Sequence, residues 1–168
     1  MNLSINSSRL LITPQDGAVL FLYNDEGSEL NHIQLPEYMS AKHAVETTNK
    51  TYIVCYWCRF FGSEEVDSVS ELDVDGRVVR TFNNQHIDID SIKFNRPRYL
   101  LIDDNNHVIV ADCRNERVVL LKSNLQLKRV LIPTLDQQPV RLCLSKSTGL
   151  MFIKYINWSN IEIYQVIS

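Results

Sequence analysis

The chain is a succession of short apolar runs, none of helical length, separated by clusters of Asp, Asn, Ser and Gly. The pattern is sharpest from Phe94 to Pro133. RYLLID is followed by the turn cluster Asp103–Asn106, and HVIVADC ends at Arg114-Asn115-Glu116. RVVLLKS then turns at Ser123-Asn124, and LQLKRVLI closes the unit. Runs rich in Val, Ile and Leu, bounded by side chains that close turns on their own backbone, predict four antiparallel strands.

The unit then restarts. QPVRLCLSKSTGLMFIKY restates RPRYLLIDDNNHVIVADC, and Pro97 and Pro139 mark the same place in the two copies. Four strands at a period of about 40 residues is the signature of a propeller blade, which must stack on neighbours to cover its faces. Residues 36–82 form another such unit, from AKHAVETT and TYIVCYWC through the insertion RFFGSEEVD to SVSELDVDG and RVVRTF. Residues 9–35 read as the second, third and fourth strands of an incomplete blade, because VLFLYNDEGSELNHI resembles VSELDVDGRVVRTF. A rival register aligns RLLITPQDGAVLFLY with RLCLSKSTGLMFIKY and makes its strands the first and second; the spacing to the next blade favours the former. Residues 1–8 read as polar and frayed, Asn83–Lys93 as a linker, and 138–168 as a blade one strand short.

The expected fold is therefore all-β: residues 1–168 as a single partial β-propeller. Its blades fall at about 9–35, 36–82, 94–133 and 138–168, the first and last incomplete. Such an array resembles the C-terminal part of a longer propeller or a truncated gene product. Its bare edges predict pairing with the remaining blades or self-association.

Asn95-Arg96-Pro97 followed by VIVADCRNERVVLL resembles the NHL repeat, which has a proline opening the first strand, V-x-D ending the second and N-x-R opening the third. Pro97, Asp112, Asn115 and Arg117 match that pattern; the neighbouring units match weakly. The resemblance implies a propeller like those at the C-terminus of tripartite-motif proteins, behind a RING, B-boxes and a coiled coil, where it selects ubiquitination substrates or binds RNA. No such zinc module stands in these residues, so ligase activity would belong elsewhere.

Composition narrows the classes further. A net charge of −3 with mixed charges gives no whole-chain reason for nucleic-acid binding. No apolar run reaches the about 20 residues of a membrane span, and the N-terminus lacks the basic start and apolar centre of a secretory signal. Cys55, Cys58, Cys113 and Cys143 are scattered through strand-like runs. Cys55 and Cys58, three apart in a strand, should point to opposite faces and bind no zinc. Free thiols suit a reducing cytoplasm, where the N-x-S/T sequons at Asn6, Asn49 and Asn157 carry no glycan.

No nucleophile elbow, phosphate loop or metalloprotease motif is present, and the four histidines share no spacing. Asp103-Asp104 lacks the further ligands calcium needs, and a lactonase-like hydrolase would need acidic residues converging from several inner strands. No catalytic residue, cofactor or metal is expected. Up-and-down connectivity puts the second-to-third turns and the blade links on one face. That face should hold Tyr38, Arg59, Phe60, Phe61, Asn95, Arg96, Arg98, Arg114, Asn115, Asn157 and Trp158. Arginines beside aromatics suit a protein partner, with single-stranded RNA as the alternative. Asp112, Asn115 and Arg117 read as structural.

Overall fold

The computed structural model describes residues 1–6, 9–14, 17–58, 67–82, 92–145, 147–157 and 159–166. The first sheet holds β1 (Asn2–Asn6), β2 (Arg9–Thr13), β3 (Val19–Asn24) and β4 (Glu29–Gln34) in that order. The second holds β5 (Met39–Glu46), β6 (Tyr52–Cys58), β7 (Ser68–Leu72) and β8 (Val78–Thr81). The third holds β9 (Pro97–Ile102), β10 (Val108–Asp112), β11 (Arg117–Leu121) and β12 (Leu127–Ile132), with a 3-10 turn at Cys113–Asn115. The fourth holds β13 (Pro139–Ser145), β14 (Leu150–Tyr155) and β15 (Ile161–Gln165). All pairings are antiparallel. The first strands lie side by side, β1 against β5, β5 against β9 and β9 against β13, which makes the four sheets consecutive blades of a β-propeller.

One expectation is corrected. The first blade is complete, because Asn2–Asn6 is not frayed but pairs with β2 from Asn2↔Thr13 to Asn6↔Arg9. The sequence N-L-S-I-N alternates polar and apolar positions, which is the period of a half-covered strand. This also fixes the register: Arg9–Thr13 is a second strand, so the rival alignment fails. The last blade is one strand short among the described residues, as expected.

Alternation within each strand gives every blade two apolar faces, and three clusters fill the spaces between blades. Leu11, Leu20, Leu22 and Ile33 meet Ala44, Tyr52, Val54 and Tyr56. Val45, Ile53, Cys55 and Val69 meet Leu100, Val108, Val110, Val119 and Leu121. Ile109, Ala111, Val118 and Leu120 meet Leu142, Met151, Ile153 and Tyr155. In these clusters Leu100, Val108, Val110, Val118, Leu120 and Leu142 are buried. Ile102 and Leu144, near strand ends, are half-buried.

Five of the hairpins share one turn, which explains their polar letters. In each, a residue with left-handed backbone donates its N–H to the carbonyl three residues earlier: Gly27 to Asn24, Lys50 to Thr47, Gly76 to Asp73, Asn106 to Asp103 and Leu125 to Lys122. The first residue of four of these turns also accepts amides of the loop on its side chain. Asp73 Oδ1 accepts from Asp75 and Arg77, and Asp103 Oδ1 accepts from Asn105 and His107. Asn24 and Thr47 do the same for Ser28 and Thr51. Short Asp, Asn and Thr side chains favour such turns over extended strand. Among the described residues, no helix is long and apolar enough to cross a membrane.

Candidate functional site

The second-to-third turns and the blade links are hydrogen-bonded to one another, which places them on one face. Leu35 N–H donates to Ala18 O, Arg114 N–H to Asn95 O, Leu135 N–H to Glu116 O, and Ile156 N–H to Gln138 O. The backbone needs of irregular segments are met by other irregular segments, so this surface is built without a regular ladder.

On blade three the face is anchored by Asp112. The carboxylate, fully buried at the end of β10, accepts from Asn95 N at 2.8 Å, Asn115 Nδ2 at 2.8 Å and Arg117 Nε at 2.7 Å. Burial pushes its carboxyl up while these three donors pull it down. Asn115 Nδ2 and Arg117 Nη2 also donate to Lys93 O. The motif residues are thus a clamp that ties the link before β9 to the turn after β10. Asn115, offered as part of a binding face, has its amide nitrogen spent on that clamp.

Arg96 lies beside the clamp. Its backbone is left-handed, its N–H donates to Asp67 Oδ2 at 2.9 Å, and its guanidinium lies 4.6 Å from the centre of the Trp57 ring. Trp57 Nε1 donates to Pro97 O, and the ammonium of Lys42 lies 3.8 Å from the same ring centre. Asp67 Oδ1 accepts from Cys58 N, which joins the end of β6 to the same group. Two cations over an indole, held by fixed amide contacts, form a rigid spot that is both cationic and aromatic.

The remaining expected residues are distributed unevenly. Asn95 and Arg114 are exposed and Arg98 is half-buried on blade three. Arg98 and Arg114 both lie near the Cys113 thiol, which burial pushes up. Asn157 is exposed, with left-handed backbone, in the turn after β14. Tyr38 is half-buried: it packs on the first core cluster, with its ring edge-on to Tyr56 at 5.9 Å. Arg59, Phe60, Phe61 and Trp158 lie outside the described residues.

Lys42 and Trp57 were not legible in the sequence as site residues, since both sit inside strand-like runs. Beside them the inner strands carry a second stack. His43, Tyr99 and Arg141 come from β5, β9 and β13. The His43 and Tyr99 ring centres are 4.0 Å apart, and Arg141 lies 5.3 Å from the Tyr99 centre. His43 Nδ1 accepts from Leu100 N at 3.2 Å, so its proton is on Nε2, which points toward the Leu3 carbonyl without closing a hydrogen bond. Burial lowers its pKa to about 4. An open cleft of about 580 Å³ runs along β1, β5 and β9, with Glu46, Asp103 and Asp104 among its walls. Cys55 is buried and Cys58 half-buried, and burial raises the Cys55 thiol to about 12. The four cysteines form no disulfide.

No protein-family profile and no curated protein matches the chain. Solved structures do. The chain superposes on a streptogramin B lyase structure with a TM-score of 0.66 at 15% identity, covering 99% of this chain and 54% of the other. A virginiamycin B lyase from Staphylococcus aureus gives 0.61 at 13% identity, with 97% and 54% covered. The WD40 β-propeller domain of Doa1 gives 0.61 at 15%, with 97% and 52% covered. At these identities the likeness concerns the fold alone, and the chain spans about half the length of each of these structures.

Proposed function

We propose that this chain is a non-catalytic recognition module of the NHL-like kind, which binds an acidic segment of a protein partner. The binding face is the one carrying the blade links and the second-to-third turns. The observation behind this reading is Arg96. A left-handed arginine stacked on Trp57, with its amide pinned by Asp67, is a costly arrangement for a surface with nothing to recognise. Arg114 and Asn95 stand exposed beside it, joined through Arg114 N–H to Asn95 O. Arg98 completes the cationic side on blade three, and Asn157 extends the face onto blade four.

The same resemblance suggests substrate selection for a ubiquitin ligase whose zinc modules lie elsewhere, in the cytoplasm where the four thiols stay reduced. Two of the similar structures bear the name of a lyase, which makes an enzymatic propeller the reading to exclude. RNA is the remaining alternative, because arginine and tryptophan also serve exposed bases.

Panning a displayed peptide library against the chain tests the proposal. Peptides rich in Asp and Glu should be selected, and Arg96→Ala or Arg114→Ala should weaken them about tenfold, or roughly 1.4 kcal/mol. Their binding should be unaffected by a chelator. Selected peptides indifferent to both substitutions would refute the assigned face. Tight binding of single-stranded RNA with a steep salt slope would give the RNA reading instead. Ester or lactone turnover lost to a chelator would give the enzymatic one.

A further inference from the structure

The two outermost blade faces carry alternating apolar positions, as do the six faces that meet in the three filled interblade spaces. On blade one, the positions facing away from blade two form two cross-strand rows: Leu3–Ile12–Phe21 and Ile5–Leu10–Tyr23. Leu3 is 45% exposed and Ile5 68% exposed, and the other four are half-buried. On blade four, the apolar positions facing away from blade three are Cys143, Leu150, Phe152, Ile161 and Ile163, with Cys143–Phe152–Ile163 in one row and Lys154 and Gln165 paired beside Ile161 and Leu150. Ile161 and Ile163 are each 58% exposed.

These are not generic apolar patches. Each is a pleated sheet face whose polarity is set by chain direction. The blade-one face is the one that, in blades two, three and four, meets the preceding blade. The blade-four face is the one that, in blades one, two and three, meets the following blade. The surface that fits the first face is therefore of the kind the last face presents.

We propose that a second copy of this chain covers both. Blade four of each copy packs on blade one of the other, and two head-to-tail copies close an eight-bladed ring. Such a contact is heterologous, and it closes after two copies because each arc spans about half of the propellers it resembles. Eight blades is the upper end of the usual range of about four to eight. Closure would turn the open cleft along β1, β5 and β9 into a central channel.

The test is the mass in solution, with charges placed at exposed positions that the fold of one copy does not need buried. The 168-residue chain should scatter light as a particle of about twice 19.5 kDa at micromolar concentration. Ile5→Lys and Ile163→Glu should each give a folded monomer, because each spoils both interfaces of a ring of identical copies. Mixing the two variants should restore the dimer, since one interface of the mixed pair is native and the other joins Lys to Glu. A monomeric parent chain, an open-ended polymer, or a dimer broken by only one substitution would each overturn the proposal. A mixture that stays monomeric would overturn it as well.

Discussion

Burial holds His43 neutral, with its Nδ1 occupied by the Leu100 amide. The groups packed around it are the Tyr99 ring, the Leu3 carbonyl and the Arg141 charge, and Arg141 lowers its pKa further. The folded pKa of about 4 lies below the ordinary 6.5, so the unfolded chain takes up the proton first as pH falls. Stability is full above about 6.5 and is lost between 6.5 and 4, by on the order of 3 kcal/mol if the ring stays buried. Urea midpoints across this window should fall with pH in the parent chain and stay flatter in His43→Gln. Asp112 gives a second prediction at this scale. Asp112→Ala leaves Arg117, Asn115 and the Asn95 amide without their acceptor, and removing one partner of a buried pair costs about 3–5 kcal/mol. Adding Arg117→Ala to that variant should cost little more, and a double-mutant cycle in urea checks it. Asp112, Asn115 and Arg117 were legible in the sequence as structural, because a carboxylate ending a strand has turn amides within reach. Trp57 was not, because its partners Lys42 and Arg96 come from other strands and links and no local pattern announces them.

Turns and strands were legible to different depths. The hairpin letters specify a local geometry, so the turn at Asp103 to Asn106 could be read directly. What surrounds a turn could not. Gly27 and Gly76 have nearly the same backbone, with φ of 83° and 82°. A Cβ on Gly27 meets nothing within 4 Å, whereas one on Gly76 would stand 2.1 Å from Gln34 O of the neighbouring blade. Gly27→Ala should therefore cost about 1 kcal/mol of left-handed strain, and Gly76→Ala clearly more, because β4 must shift; paired thermal melts separate them. Strand positions divide in the same way. Leu100→Ala, in a fully buried site, should cost about 2–5 kcal/mol, and Leu144→Ala less, because Leu144 is half-buried. β1 escaped the sequence reading because only Leu3 and Ile5 mark it among polar neighbours, and its outer face lacks a covering blade.

For the whole molecule, the 40-residue period carried the architecture, since a blade is stable only against another blade. The sequence placed the expected site residues on one face through connectivity alone. It could not say which of them fold into it, and Tyr38 turned inward onto the first core cluster. Packing density is uneven along the arc. Blades two and three are covered on both faces, while blade four has three strands among the described residues and exposes Ile161 and Ile163. In a monomeric Ile163→Glu chain, amide hydrogen exchange should be slowest in β6 and β10 and fastest in β15. Uniform protection across all four blades would mean that the arc opens only as a unit.

The two-faced blade also bears on how a gene for such a protein can change. Because every blade presents one face backward and one forward, copying a whole repeat in frame inserts a unit that already fits both neighbours. The length of the arc is therefore free to vary without new packing having to be invented. Adding or losing a single codon within β6 or β10 is different in kind. It would turn every later side chain of that strand to the opposite face, and so spoil two interblade cores at once. Selection should tolerate length changes in the links and turns, accept whole repeats, and reject a change of one residue in the strands between.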